Sequence, residues 1–138
     1  MKPVLVDTGF IVARLDRSER NHPQCLEVGD SLTEPLITCE AVIAESCHLL
    51  CHLKGAKEAV LENVEKGVFQ LPFVLASRAA EVARLMKKYA DVPMDLADAC
   101  LVDLATQTGT GRIVTLDSDF KFYRWGKNRP FEVLLEIH

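Results

Sequence analysis

The sequence predicts an α/β fold, with a mostly parallel sheet of four to five strands covered by helices on both faces. Two observations predict it. Short, continuous apolar runs recur along the chain, each bounded by turn residues, as buried parallel strands require. Longer stretches with helical spacing of apolar residues lie between them. At 138 residues, 49% hydrophobic and 26% charged, the chain reads as one domain, residues 1–138, large enough to bury a core.

The elements follow in order. Residues 3–6 form a first strand ending at Asp7-Thr8-Gly9, and a small helix continues through Phe10, Ile11, Val12 and Leu15. Residues 14–23 are polar and turn-like, and His22-Pro23 starts a second helical piece. Residues 35–38 read as a strand, with Thr38 capping a helix that reaches about Leu53 before Gly55 breaks it. Residues 57–66 form a charged amphipathic helix, and residues 68–71 a third strand. Ser77 caps a long helix to about Tyr89; Asp95 opens another that stops at Gly109-Thr110-Gly111. Residues 112–116 give a fourth strand and residues 131–135 an edge strand.

Composition narrows the function classes. No apolar run approaches the roughly 20 residues that span a bilayer. The first residues turn acidic at Asp7, too early for a secretory leader, so a cytoplasmic protein is expected. Five cysteines, Cys25, Cys39, Cys47, Cys51 and Cys100, follow no disulfide-framework spacing and read as reduced thiols. With a net charge of −4, no global positive field draws in nucleic acid, so such a role needs a local basic surface or a bound cation.

Four carboxylates stand out against that background: Asp7, Glu45, Asp98 and Asp117. Asp7 and Asp117 end strands, and ligands of parallel sheets collect at the carboxyl ends of strands. Each also reads as a helix cap or turn residue. Glu45 falls at the edge of an apolar stripe formed by Val42, Ile43, Leu49, Leu50 and Leu53, a position that also suits a surface charge. Asp98 lies roughly 50° from the centre of the face made by Met94, Ala97, Leu101, Leu104 and Ala105. An inward carboxylate is costly unless paired or bound to a cation. Asp95, three residues earlier, fits the N-cap of the same helix, while Asp103 points away toward solvent. Thr115 and Ser118 add hydroxyls suited to water or a phosphate oxygen, and Asp119 rivals Asp117. Crowded carboxylates favour a hard divalent cation such as Mg²⁺.

The segments Leu5-Val6-Asp7-Thr8, Glu45 within a helix, Met94-Asp95-Leu96-Ala97-Asp98-Ala99 and Val114-Thr115-Leu116-Asp117-Ser118-Asp119-Phe120 resemble those of PIN-domain ribonucleases, especially the VapC-like toxins of toxin–antitoxin pairs. The resemblance covers about residues 3 to 125 and keeps the order and approximate spacing of the motifs. It implies a three-layer α/β/α sandwich, Mg²⁺ or Mn²⁺ held by Asp7, Glu45, Asp98 and Asp117, with Asp95 and Asp119 as further candidates, and hydrolysis of RNA. Thr8, Thr115 and Ser118 would support the site. It also implies a homodimer and a cognate antitoxin. A non-catalytic PIN scaffold and a nuclease of RNA processing are the alternatives.

Other features were weighed beside these. Cys47, His48, Cys51 and His52 make two i,i+4 pairs on a continuous helix, a spacing able to share a metal, with no second Cys/His cluster to complete it. Lys121-Phe122-Tyr123-Arg124-Trp125 interleaves cations with rings, as single-stranded RNA binders do, although Phe122 and Trp125 also suit core packing. Arg14 and Arg17, with Arg20, form a second basic stretch. The apolar residues Phe10, Leu15 and Leu26 are candidates for either a contact surface or the core. Receiver, haloacid-dehalogenase and dinucleotide-binding readings fail for want of a late strand-end lysine, an Asp-x-Asp and a GxGxxG respectively.

Overall fold

A computed structural model describes residues 2–135. Its centre is a five-stranded, wholly parallel sheet in the order β3-β2-β1-β4-β7. The strands are β1 (Val4–Val6), β2 (Leu36–Ile37), β3 (Phe69–Gln70), β4 (Arg112–Val114) and β7 (Glu132–Val133). Helices α1 (Thr8–Leu15), α2 (His22–Ser31), α3 (Glu40–Leu49), α4 (Ala56–Glu65), α5 (Leu75–Lys88) and α6 (Leu96–Thr108) flank it. The predicted α/β/α sandwich is the architecture found.

Central β1 is fully buried along Val4, Leu5 and Val6, which explains why its run is apolar without alternation. The chain builds β2 and β3 on one side of β1, then crosses to lay β4 and β7 on the other. The strand order therefore reverses between β1 and β4. Such a switch point opens a crevice beyond the carboxyl ends of those two strands. Register places Val6 beside Val114, and the Asp7 amide donates to the Val114 carbonyl at 3.2 Å.

Several boundaries differ from the sequence reading, each for a local reason. Cys39, not Thr38, occupies the N-cap position of α3. The Thr38 hydroxyl instead donates to the Val6 carbonyl at 2.8 Å, tying β2 to β1. Helix α3 ends at Leu49, so Cys51 and His52 lie in the following turn, and the two i,i+4 pairs do not share a helix. His52 faces Asp16 at 3.4 Å. Leu49, read as part of the apolar stripe of α3, is exposed. Ser77 sits inside α5, which begins at Leu75, and its hydroxyl donates to the Val74 carbonyl. The strands at 112–116 and 131–135 are shorter than predicted, spanning Arg112–Val114 and Glu132–Val133.

Asp103 is the clearest correction. It was read as solvated, yet it is 1% exposed and accepts two hydrogen bonds from Arg78, at 2.7 and 2.8 Å. Helix α6 is buried on nearly every side from Ala97 to Ala105, packed against α5 and α3, so no face of its middle turns reaches water. A charge there is tolerated because α5 supplies a guanidinium in bidentate geometry.

A short antiparallel ribbon, β5 (Arg124–Trp125) with β6 (Arg129–Pro130), completes the carboxyl-terminal part. Its turn uses Gly126 and Asn128 at φ of 56° and 60°, the left-handed region that these two residue types enter most easily. Trp125 lies over Gly111, where a Cβ would come within 2.0 Å of the indole nitrogen. Phe10 belongs to the core, and Leu15 packs against it.

Because β1 anchors both halves of the sheet, Leu5→Ala is expected to cost about 2–5 kcal/mol. Leu61→Ala, at a position 55% exposed, is expected to stay within about 0.5 kcal/mol. Urea unfolding of both variants measures the contrast.

Candidate metal centre

Three segments deliver carboxylates to the crevice beyond β1 and β4. Asp7 follows β1 directly and is the N-cap of α1; Asp98 occupies the first turn of α6; Asp117 follows β4 and caps a short 3-10 helix, Ser118–Lys121. One oxygen from each lies within 4.8 Å of the others. Gly9 lets the start of α1 approach this junction, since a Cβ there would stand only 3.3 Å from Leu116 Cβ.

Each carboxylate is fixed by neutral donors. Asp7 Oδ1 accepts the Thr8 amide at 2.7 Å and Oδ2 accepts the Thr115 hydroxyl at 2.8 Å. Asp98 Oδ2 accepts the Tyr123 hydroxyl at 3.1 Å. Asp117 Oδ1 accepts the Asp119 amide at 2.9 Å, while the Thr115 hydroxyl accepts the Asp117 amide at 3.0 Å. Among the described residues, no ion pair involves any of the three. This separates them from Asp103, whose charge Arg78 neutralises.

Burial without a counter-charge penalises ionisation. Desolvation, followed by the charges of Asp95, Asp7 and Asp117, pushes the Asp98 carboxyl up to about 8. Desolvation also leads in raising Asp7 to about 6, against the lowering effect of its hydrogen bonds from Thr115 and Thr8. Asp117 is raised as well, chiefly by burial. Three acids displaced in the same direction at one spot have the electrostatics of a cation site.

A cleft of about 280 Å³ holds them, lined also by Thr8, Gly9, Glu45, Leu49, Asp95 and Leu116. Glu45 is exposed at the rim and adds its charge to the field on Asp7. Asp95 also borders the cleft, but its carboxylate accepts the Asp98 amide at 2.8 Å as an N-cap. The reciprocal half of a capping box is missing, because Asp98 turns instead to Tyr123. Of the two rivals after β4, Asp117 enters the cleft; Asp119 supplies the amide that orients it. Ser118 is exposed beside them. The Thr8 hydroxyl is buried in the cleft wall with no partner among the described residues. A donor set of carboxylates with an orphan hydroxyl fits a hard divalent cation and its water.

The PIN domain model matches residues 4–126. The chain belongs to the PIN-domain family. Ribonuclease VapC26 of Mycobacterium tuberculosis is 33% identical over 116 residues, covering 83% of this chain and 86% of that protein. The crystal structure of VapC20 of Mycobacterium tuberculosis, a toxin that cleaves the sarcin–ricin loop, superposes with a TM-score of 0.81. It is 19% identical and the match covers 92% of this chain and 99% of that one.

The basic residues of this PIN domain are less uniform than their sequence pattern. Arg14 lies six residues along α1 from Thr8, about 9 Å away at the helical rise. It stacks on Phe10 and pairs with Asp30. Arg17 is exposed beyond the end of α1. The Arg124 guanidinium donates through one nitrogen to the carbonyls of Lys121, Phe122 and Tyr123. Lys121 is exposed, and Phe122, read as a packing residue, is 66% exposed. Trp125 does pack on the core, as does Tyr123, which is fully buried. The burial of Tyr123 has no counterpart in the sequence pattern of the run 121–125. Cys47, His48, Cys51 and His52 form no three-ligand group among the described residues, and all five cysteines are free.

A carboxyl raised on folding stabilises the folded state fully below its unfolded value and loses that contribution as pH rises through the folded one. Metal-free protein is therefore expected to lose stability from Asp98 between pH 3.8 and about 8. Asp98→Asn removes that loss, so its melting temperature relative to wild type should climb across this window. Thermal melts in chelator at several pH values read the difference.

Proposed function

We propose that this protein is a metal-dependent endoribonuclease that hydrolyses RNA phosphodiester bonds with Mg²⁺ or Mn²⁺, and that it is the toxin of a toxin–antitoxin pair. The observation that carries this reading is the trio of buried Asp7 and Asp98 with half-buried Asp117, gathered with no protein cation among them in the described residues. Membership of the PIN family and the likeness to ribonuclease VapC26 support RNA as the substrate and an antitoxin as partner. A homodimer and a cytoplasmic location belong to the same proposal. No described helix is long and apolar enough to cross a membrane.

In this reading Asp7, Asp98 and Asp117 hold the cation, with Glu45 completing the acidic rim. The cation supplies Lewis-acid activation of water and neutralises charge developing on the phosphate. The protein's own part is positional. Thr115 fixes Asp7 and the amide of Asp117 at once, so the two strand-end acids keep one spacing. The unpartnered Thr8 hydroxyl can donate to a phosphate oxygen or accept from water. Glu45, exposed at the rim of the cleft, would orient the attacking water. Hydrolysis would leave a 5′-phosphate and a 3′-hydroxyl.

The RNA strand would approach over Lys121 and Phe122, on the segment that Asp117 begins. An exposed ring beside a cation stacks a base and pairs a phosphate without reading sequence. Arg17 would add attraction further along the strand, with Arg14 and Arg124 contributing less because their guanidinium groups are already engaged. Such a contact offsets the overall charge of −4 only locally, so its strength should fall steeply with salt.

Asp98→Asn is expected to lower Mg²⁺-dependent cleavage of a defined single-stranded RNA by at least about 10³-fold, a loss on the scale of removing a key transition-state stabiliser. Chelator should do the same to wild type. Retained cleavage in the variant, with a native circular dichroism spectrum, would sink the metal-site assignment. Separately, Lys121→Ala with Phe122→Ala should weaken RNA binding and flatten its salt dependence; filter binding at several salt concentrations decides this.

A further inference from the structure

Tyr123 sits where no sequence pattern points to a role. Its ring is fully buried and packs edge-on against Tyr89 and Phe120, with both centroid separations 5.1 Å. Phe120 in turn meets Phe131 at 5.3 Å, so one of the two rings that flank Tyr123 is itself braced. Its hydroxyl nonetheless reaches out of this aromatic cluster to Asp98 Oδ2 at 3.1 Å.

That single bond joins two elements of the site. Tyr123 ends the segment that begins with Asp117, whereas Asp98 is carried by α6. With Oδ2 engaged by the phenol, no protein donor among the described residues reaches Asp98 Oδ1. The carboxylate is thereby turned so that one oxygen faces the aromatic cluster and the other is left to the cleft. Asp7 and Asp117 are oriented by donors on their own or adjoining strand ends. Asp98 has only the phenol, since Asp95 bonds its backbone and not its side chain.

We propose that Tyr123 is a positioning residue for the metal centre: buried in the aromatic cluster, its hydroxyl fixes the rotamer of Asp98 and so presets the geometry in which the three aspartates meet a divalent cation. This rests on the proposed metal site. Groups that orient a metal-binding carboxylate typically contribute 10–100-fold in affinity. A rigid ring is suited to that task, because its hydroxyl has almost no freedom once the ring is packed.

The test is Mn²⁺ titration of the full chain by calorimetry, without RNA, on wild type, Tyr123→Phe and Tyr89→Phe. Tyr123→Phe keeps the ring and its neighbours and removes only the hydroxyl. Tyr89→Phe deletes a hydroxyl from the same cluster, one that accepts the Arg124 amide at 2.9 Å and touches no carboxylate. Tyr123→Phe is expected to weaken Mn²⁺ binding about tenfold or more, with Tyr89→Phe close to wild type. Equal affinity in wild type and Tyr123→Phe would overturn the positioning role while leaving the metal site standing. Equal losses in both variants would also overturn it, since they would report general loosening of the cluster. Wild type that binds no Mn²⁺ would remove the metal site itself and this role with it.

Discussion

Mutual repulsion among Asp7, Asp98 and Asp117 is the constraint around which this protein is built. Bringing these carboxylates together in a largely desolvated cleft opposes folding, and among the described residues nothing basic lines it to relieve the repulsion. The fold sustains the arrangement by brute positional control. Strand ends at the switch between β1 and β4 supply two acids, the first turn of α6 supplies the third, and hydrogen bonds from Thr8, Thr115, Tyr123 and the Asp119 amide lock them. Helix N-termini add partial positive charge at all three positions, though not enough to bring the carboxyls back to ordinary values. The stability given up here is recovered in the fully apolar centre of the sheet.

Asp98 and Asp103, five residues apart on one helix, show how the same cost is met in two ways. Asp103 is paired with Arg78 and becomes a structural ion pair. Asp98 is given a phenol and three acidic neighbours, Asp95, Asp7 and Asp117, which leaves its charge unsatisfied by protein. The guanidinium makes Asp103 part of the scaffold, whereas Asp98, facing other carboxylates, keeps a charge that only a cation from outside the protein could balance.

Much of this was legible in the sequence because strands and strand ends leave local marks. The apolar runs at residues 3–6 and 112–116, each followed directly by an aspartate, pointed to two central strands and to two of the acids that meet beyond them. The inward placement of Asp98 followed from helical periodicity alone. What failed was whatever depended on a third element. Asp103 was read as solvated because a helical wheel cannot reveal that α5 covers the far side of α6. Thr38 and Ser77 carried capping signals but spent their hydroxyls on nearby carbonyls. Phe122 suited core packing by composition yet lies 66% exposed, while the adjacent Tyr123 is buried, because composition does not say which of two neighbouring rings faces inward.

The hydrogen bond from Thr115 to Asp7 joins residues 108 positions apart in the chain. During synthesis, β1 and α1 emerge long before β4 exists, and closing so long a segment is the slow kind of contact to make. No growing chain that stops short of Asp117 can assemble the acidic trio. The order of strands in the sheet thus ties assembly of the acidic trio to closure of the sheet itself: β4 must dock beside β1 before Asp117 can meet Asp7.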